Sequence, residues 1–457
     1  MSPPGPVEGT GPAEVVESLV RRGLPEAEVY AKRGRARVLD RGLFGAAASI
    51  HREEGWAVRA GDDRRSFFAA GTGRPDPAGP GGLWPEADGR RLVLPEPGAV
   101  RATDGAWSEP PDFDAPLIGE REGIALLDAL AAALAEELPA AGLLAARLAD
   151  GASEAEIASS RGIEARVRSR TAYLRLEAAI PGEGVRAAVE LAAREARSFE
   201  PRAIARRLAD RLTVASRGRS PERDRADVLL APAAAVRLLA GLVPLFVGAR
   251  GAELAARLED RNGRFAARGL TVVDDPRLAQ GVLSAPVDGE GLATSEVVLV
   301  ESGAFRQPLV PWSEAGGSAR SGRRAGGAGA RAAACRRRHG WRELPAPGPS
   351  HLFVQPDEAT SVGELLAGLA RGYYLLDAAG PGLFDFEQGR FSLPVVGFAV
   401  ERGEAAAPLA GARLQGALGA LLRGVDGVAR DLAFQPLAGG MLGAPTLRVS
   451  GLELVRA

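Results

Sequence analysis

One cysteine, three histidines and a single lysine, Lys32, are spread over 457 residues, and each scarcity removes a class of chemistry. The lone Cys335 excludes an intramolecular disulfide and suits a reducing compartment. His51, His339 and His351 leave little material for a histidine-rich metal centre. Nearly every cation is arginine, and 57 Lys+Arg against 58 Asp+Glu give a net charge of −1. No global field therefore draws the chain to nucleic acid or an anionic membrane. No apolar run reaches the ~20 residues that span a bilayer; the most apolar stretch, 231–247, is interrupted by Arg237 and Pro244. The opening MSPPGPVEGTGPAE has neither a basic n-region nor an apolar h-region, so no signal peptide is expected and a cytoplasmic location is. A GxSxG elbow and a P-loop are both missing; GPGGLW is glycine-rich without a lysine or a strand-to-helix context.

What is present is ordinary for a globular chain: 46% apolar and 25% charged residues. Residues 1–11 are Pro/Gly-rich and expected to be disordered. AEVVESLVRRG spaces Val15, Leu19 and Val20 on a helical face, and short segments from AEVYAKRG to RRSFFAAG read as an antiparallel meander. A Pro-rich stretch, about 73–116, reads as a linker. GIALLDALAAALAEEL is helical, IEARVRSRTAYLRLEAAI alternates like a hairpin, and VRAAVELAAREARSF and EPRAIARRLADRLTVA read as two amphipathic helices. After the charged boundary RGRSPERDR come a buried strand, DVLLAP, a helix over 232–246, and mainly strands. These runs predict an α+β fold with three units, 12–116, 117–222 and 223–457. Within the last, the Gly/Ala/Arg-rich 312–349 is expected to be a flexible loop, with a nucleic-acid arm as the alternative. No aromatic residues interleave with its arginines, so no nucleic-acid partner is expected.

Candidate site residues are few. Cys335 and His339 lie four apart and with His351 form one conceivable zinc set, although the neighbouring arginines oppose a dication. His51 reads as a surface histidine on a strand. Asp274, Asp275, Asp288 and Glu290 sit in DDP and DGEG, where carboxylates commonly cap backbone N–H groups in turns. A carboxylate-held metal or acid/base pair there is the sharper alternative.

The stretch LTVVDDPRLAQGVLSAPVDGEGLATSEVVLVESGAF, 270–305, resembles the central signature of the TldD/PmbA family of metallopeptidases, the "modulator of DNA gyrase" family. Asp274, Asp275, Asp288, Glu290 and Gly291 carry that likeness. ASSRGIEARV resembles a further family block, with Ser160 and Gly162 in register and Ser159 where asparagine is usual. A third block matches at Gly389, Phe391, Ser392, Gly397, Glu401, Gly403, Glu404, Pro408 and Asp431. The resemblance implies an N-terminal α/β domain, a largely β C-terminal domain, and in active members a helical HExxxH zinc motif. Here that motif would fall near Ala240, Gly241 and Leu245, all apolar or glycine, and Val236, Leu239, Val243 and Phe246 form an apolar stripe. The C-terminal cysteine of TldD-type members is also missing, and the usual Gly/Asn/Arg motif has no match in 312–349. The resemblance therefore implies the PmbA (TldE) branch: no metal in this chain, zinc in a TldD-like catalytic partner, and unfolded or short peptides as substrate. The alternatives are a peptidase acting alone with an atypical metal site and a stand-alone peptide-binding scaffold.

Overall fold

The computed structural model describes residues 11–43, 45–62, 64–75, 84–85, 92–100, 108–221, 224–315 and 332–457. The tail expected to be disordered thus lies outside them except for Gly11, as does much of the Pro-rich stretch. Helix α1 (Pro12–Arg21) begins on a proline, whose missing N–H costs nothing in a first turn, and buries Val15, Val16 and Leu19. Val20 faces solvent instead.

Strands β1 (Glu26–Gly42) and β2 (Gly45–Gly61) pair along their whole length, from Glu26 opposite Gly61 to Gly42 opposite Gly45. The Arg and Gly positions that read as turns between short strands lie inside these long ones. Their charges are answered across the sheet: Glu154 takes Arg33, Arg166 and Arg168, and Glu53 takes Lys32. The sheet continues with β3 (Ser66–Thr72) and β4 (Trp84–Pro85). After α2 (Glu120–Glu137) come β5 (Gly142–Ser159), β6 (Glu164–Ile180) and β7 (Val185–Ala193), then α3 (Pro201–Arg217). The order is β4-β3-β2-β1-β5-β6-β7. The pairing of β1 with β5 runs through the expected division at 116/117, so both segments build one sheet. Residues 164–180 form a single strand whose hairpin partner is the preceding β5, and 185–193 is a strand rather than a helix. In VRAAVELAA the alanines fit either period, and pairing with β6 decides. Helices α2 and α3 pack together against this sheet around Leu130, Leu148, Leu174 and Leu208.

From residue 224 two further sheets enclose a second core. Strand β8 (Asp224–Leu230) leads into α4 (Pro232–Phe246) and α5 (Arg250–Leu258). Then follow β9 (Val272–Asp274), β10 (Val297–Glu301), β11 (Ala304–Phe305), β12 (Val310–Pro311), β13 (Ala332–Ala333), β14 (Arg336–Arg337), β15 (Ala346–Pro347) and β16 (His351–Val354). The chain ends with α6 (Val362–Ala367), β17 (Arg371–Ala378), β18 (Leu383–Asp385), β19 (Arg390–Glu401), β20 (Glu404–Ala417), α7 (Leu418–Arg423), β21 (Val425–Val428), β22 (Ala433–Leu437), β23 (Gly440–Ala444) and β24 (Leu447–Arg456). One sheet runs β11-β10-β9-β16-β23-β22; in the other, β17, β8, β24, β20 and β19 close on themselves because β19 also pairs with β17. Helix α4 packs against strands of both. Among the described residues no helix is long and apolar enough to cross a membrane.

Of the flexible loop expected over 312–349, residues 316–331 lie outside the described residues, and 332–349 depart from the expectation. They form β13, β14 and β15, bury Ala333, Cys335 and Trp341, and hold three consecutive arginines in a polar junction. Dense cations read as a solvated face when their acidic partners are remote in sequence; here Glu28 of the N-terminal sheet answers Arg338, and Glu290, Asp274 and Asp288 lie beside Arg336 and Arg337.

Candidate functional site

Helix α4 contains the positions at which the family resemblance would place zinc ligands. Its ends fit the sequence: Pro232 starts it, and Pro244 sits inside its last turn. No acidic residue lies in its first turn, and Val236, Leu239, Leu245 and Phe246 are buried in the second core. Leu245 is fully enclosed, Ala240 is half-buried, and a Cβ added at Gly241 would overlap the ring of Phe384, which stacks on Phe391. A glutamate at 241 would have to displace an aromatic pair. The donors zinc requires are not on this helix, and the space for them is filled by hydrocarbon. Beside the end of α4 lies an open cavity of about 910 Å³, bordered by Pro244, Phe384 and Phe391.

The acidic residues singled out in the sequence converge elsewhere. Asp274, at the end of β9, accepts the Ser350 N–H at 2.8 Å and is 3% exposed. Asp275 accepts the Arg277 N–H at 2.8 Å, a turn cap. Asp288 accepts three backbone N–H groups, from Glu290, Leu292 and Arg336. Burial drives both Asp274 and Asp288 up to about 7, with Glu290 adding to the effect at Asp288 and backbone N–H groups opposing it at both. Gly291 follows at φ +80°, where a side chain would be strained and would meet Ile163.

Glu290 belongs to an ion network that joins the two halves of the molecule. Arg59 on β2 binds Glu28 on β1 through Nε at 3.0 Å and Nη2 at 2.6 Å, and Glu290 through Nη2 at 2.9 Å. Arg338 donates to Glu28 and to the Gly289 carbonyl. Burial alone would raise the Glu28 carboxyl, but Arg59 and Arg338 outweigh it and hold it below its ordinary value. Trp341 lies over Gly55, where a Cβ would overlap its ring, and packs with Tyr30, Ala57 and Ile157. Nothing in the local sequence marked Glu28, Arg59 or Arg338; Glu28 and Arg59 are 31 residues apart, and the links from Arg59 to Glu290 and from Arg338 to Glu28 span 231 and 310. The only local signal was apolar, in Cys335 and Trp341 flanking the arginines.

The histidines and the cysteine do not assemble. His51 is exposed and bonded to Ser49. His339 is exposed. His351 places Nδ1 3.0 Å from the Asp275 carbonyl, so that nitrogen carries the proton, and Nε2 accepts the Leu283 N–H at 3.2 Å. Burial pulls its pKa down to about 4, and both nitrogens are already committed within the protein. Burial, then Asp288 and Asp274, pushes the Cys335 thiol well above its ordinary range. Among the described residues no three His, Cys, Asp or Glu side chains are grouped to hold a metal ion. The Cys335/His339/His351 alternative and the carboxylate alternative therefore have no geometry behind them among these residues.

The whole-chain fold is shared with solved proteins. TldE from Thermococcus kodakarensis superposes with a TM-score of 0.78 at 18% identity, covering 96% of this chain and all of that one. A candidate DNA gyrase modulator from Thermotoga maritima gives 0.76 at 17% identity over 96% and 98% of the two chains. Another, from Bacteroides thetaiotaomicron, gives 0.71 at 16% over 97% of each. A search of curated proteins finds no match. Residues 223–456 match the profile of the PmbA/TldA metallopeptidase C-terminal domain, which contains β8, α4, the acidic segment and the closed sheet. With that profile spanning more than half of its residues, the chain belongs to the PmbA/TldD metallopeptidase family.

Proposed function

We propose that this chain is the non-catalytic, TldE-like subunit of a two-chain cytoplasmic metallopeptidase, whose zinc and catalytic base reside on a TldD-like partner. The observation that carries this reading is α4, where Ala240 and Leu245 stand at the positions the resemblance assigns to the zinc histidines, Gly241 at that of the glutamate, and Phe384 fills the space beside Gly241. The likeness of the whole fold to TldE supports the branch. Unfolded or short peptides are the substrate class that the family relationship suggests. Sheet edges suit such ligands, because an added strand is held through backbone hydrogen bonds largely indifferent to side chains. Among the described residues β3 pairs with β2 only from Gly55 to Gly61 and Gly73 takes the Glu54 carbonyl, leaving the exposed outer edge of residues 45–53 open to an added strand.

The test is reconstitution. The purified chain, a TldD-like chain bearing HExxxH from the same host, and an equimolar mixture are assayed on an unstructured peptide, together with co-purification of the two. Cleavage that needs the HExxxH chain and rises when this chain is added is the expected result. Cleavage by this chain alone, or failure of the two to associate, refutes the assignment.

A further inference from the structure

A cavity of about 310 Å³ lies between the N-terminal sheet and the loops of the second half. Ser169 and Thr171 line one wall; Ser284, Gly289 and the 336–338 arginines line the other. Two of these arginines hold acceptors, although Arg336 Nε and Arg338 Nη1 are left without one. Arg336 donates to the Pro345 carbonyl and to Ser313 Oγ, each at 2.8 Å, and Arg338 is engaged with Glu28 and Gly289. Arg337 differs from both. Among the described residues no hydrogen bond or ion pair reaches its guanidinium; Asp274 and Asp288 act on it only at longer range. Nη1 of Arg338, whose side chain is 2% exposed, is also buried without an acceptor. Two sets of unused donors therefore border one small cavity.

A guanidinium stays protonated in a protein, and an enclosed cation without a counter-charge is destabilising. Its planar fork matches the two oxygens of a carboxylate. Four guanidiniums, of Arg59, Arg336, Arg337 and Arg338, face the carboxyl groups of Glu28, Glu290, Glu314, Asp274 and Asp288 in this junction. While burial keeps Asp274 and Asp288 protonated, up to about 7, three carboxylates answer four cations, which leaves room for one negative charge rather than a dianion such as phosphate. The volume is at the small end for a ligand cavity and suits the last residue of a chain rather than a long segment.

We propose that this cavity binds a carboxylate, the free C-terminus of a short peptide, with Arg337 as its bidentate partner and Arg338 Nη1 as a further donor. The peptide as carrier rests on the peptide-handling role proposed above, which stands or falls on reconstitution with the partner. The anion site is decided separately, by binding to the isolated chain.

Calorimetric titration of the full chain with tri-alanine, its C-terminal amide and inorganic phosphate tests it. The free acid is expected to bind at least tenfold more tightly than the amide or phosphate. Arg337→Gln is expected to weaken the acid at least tenfold without lowering the melting temperature, because an unpaired cation is removed; a purely structural arginine would lower it. Thr171→Phe, which fills the cavity from the opposite wall, is expected to abolish binding while the arginines stay in place. Equal binding of acid and amide, preference for phosphate, or unchanged affinity in both variants overturns the proposal.

Discussion

Glu28→Ala is expected to destabilise the folded chain by about 3–5 kcal/mol, the cost of breaking a buried ion pair by removing one partner. Glu28 accepts two bonds from Arg59 and one from Arg338, and both arginines are nearly inaccessible to water. Arg59 would retain Glu290, but among the described residues Arg338 would lose the one carboxylate it bonds, keeping the Gly289 carbonyl and the Tyr30 ring. Because the network ties β1 and β2 to the 288–290 and 336–338 segments, the loss falls on the junction of the two halves. Urea unfolding followed by tryptophan fluorescence is a suitable readout, since Trp341 is buried against Tyr30 and Gly55 in that junction. The variant should show an early transition separate from the main one. Glu28→Ala combined with Arg338→Met should recover much of the loss, as the uncompensated cation goes with its partner. A single variant within 1 kcal/mol of the parent, or a double variant worse than the sum of its parts, would show that the pairing is not what holds the halves together.

The second large effect has the opposite sign. Asp274→Asn is expected to stabilise the protein at pH 8 and to leave it unchanged near pH 4. Asp274 is buried with one backbone donor, the Ser350 N–H, and keeps its proton up to about 7 where an exposed aspartate loses it near 3.8. Between those values the folded state binds more protons than the unfolded one, so stability falls as pH rises through the window and levels off above it. Asparagine keeps an oxygen for Ser350 and has no proton to lose. Three units of displacement correspond to on the order of 2–4 kcal/mol at pH 8, at roughly 1.4 kcal/mol per unit. His351, pulled down to about 4, titrates in the opposite sense between about 4 and 6.5, but it does so in both proteins and cancels from the difference. Unfolding midpoints of parent and variant at pH 4.5, 6 and 8 give the comparison. A variant less stable at pH 8 would mean that the carboxylate is ionised and paired.

These two effects concern residues that sequence reading treated very differently. Asp274 was visible because it stands in a recognisable acidic turn, and DDP does make local caps: Asp275 holds Arg277 as the pattern suggests. The burial that raises Asp274 was not visible, because β16, which pairs with β9 beside it, lies far along the chain; Arg337 acts in the opposite sense. Helix α4 was legible in full, since a 15-residue apolar run bounded by prolines has one reading. The α+β class was legible too, because segments of both periods are plain. The long hairpin was not, because Arg and Gly inside β1 and β2 imitate turn punctuation until Glu154 and Glu53 are brought alongside. The same failure hid Arg336–Arg338. Local sequence shows how many charges a segment carries but not what answers them: Arg338 is answered by Glu28 from the other half of the molecule, and Arg336 by Glu290.

The proposed subunit role requires that α4 hold no catalytic metal. The most direct measurement is zinc content by elemental analysis of the isolated chain, after exposure to excess zinc and dialysis, alongside the variant Ala240→His/Gly241→Glu/Leu245→His. Far less than one zinc per chain is expected in the parent, and the variant is expected to be destabilised because Phe384 and the core occupy the space that the new side chains at 241 and 245 need. One tightly held zinc per parent chain would contradict that role.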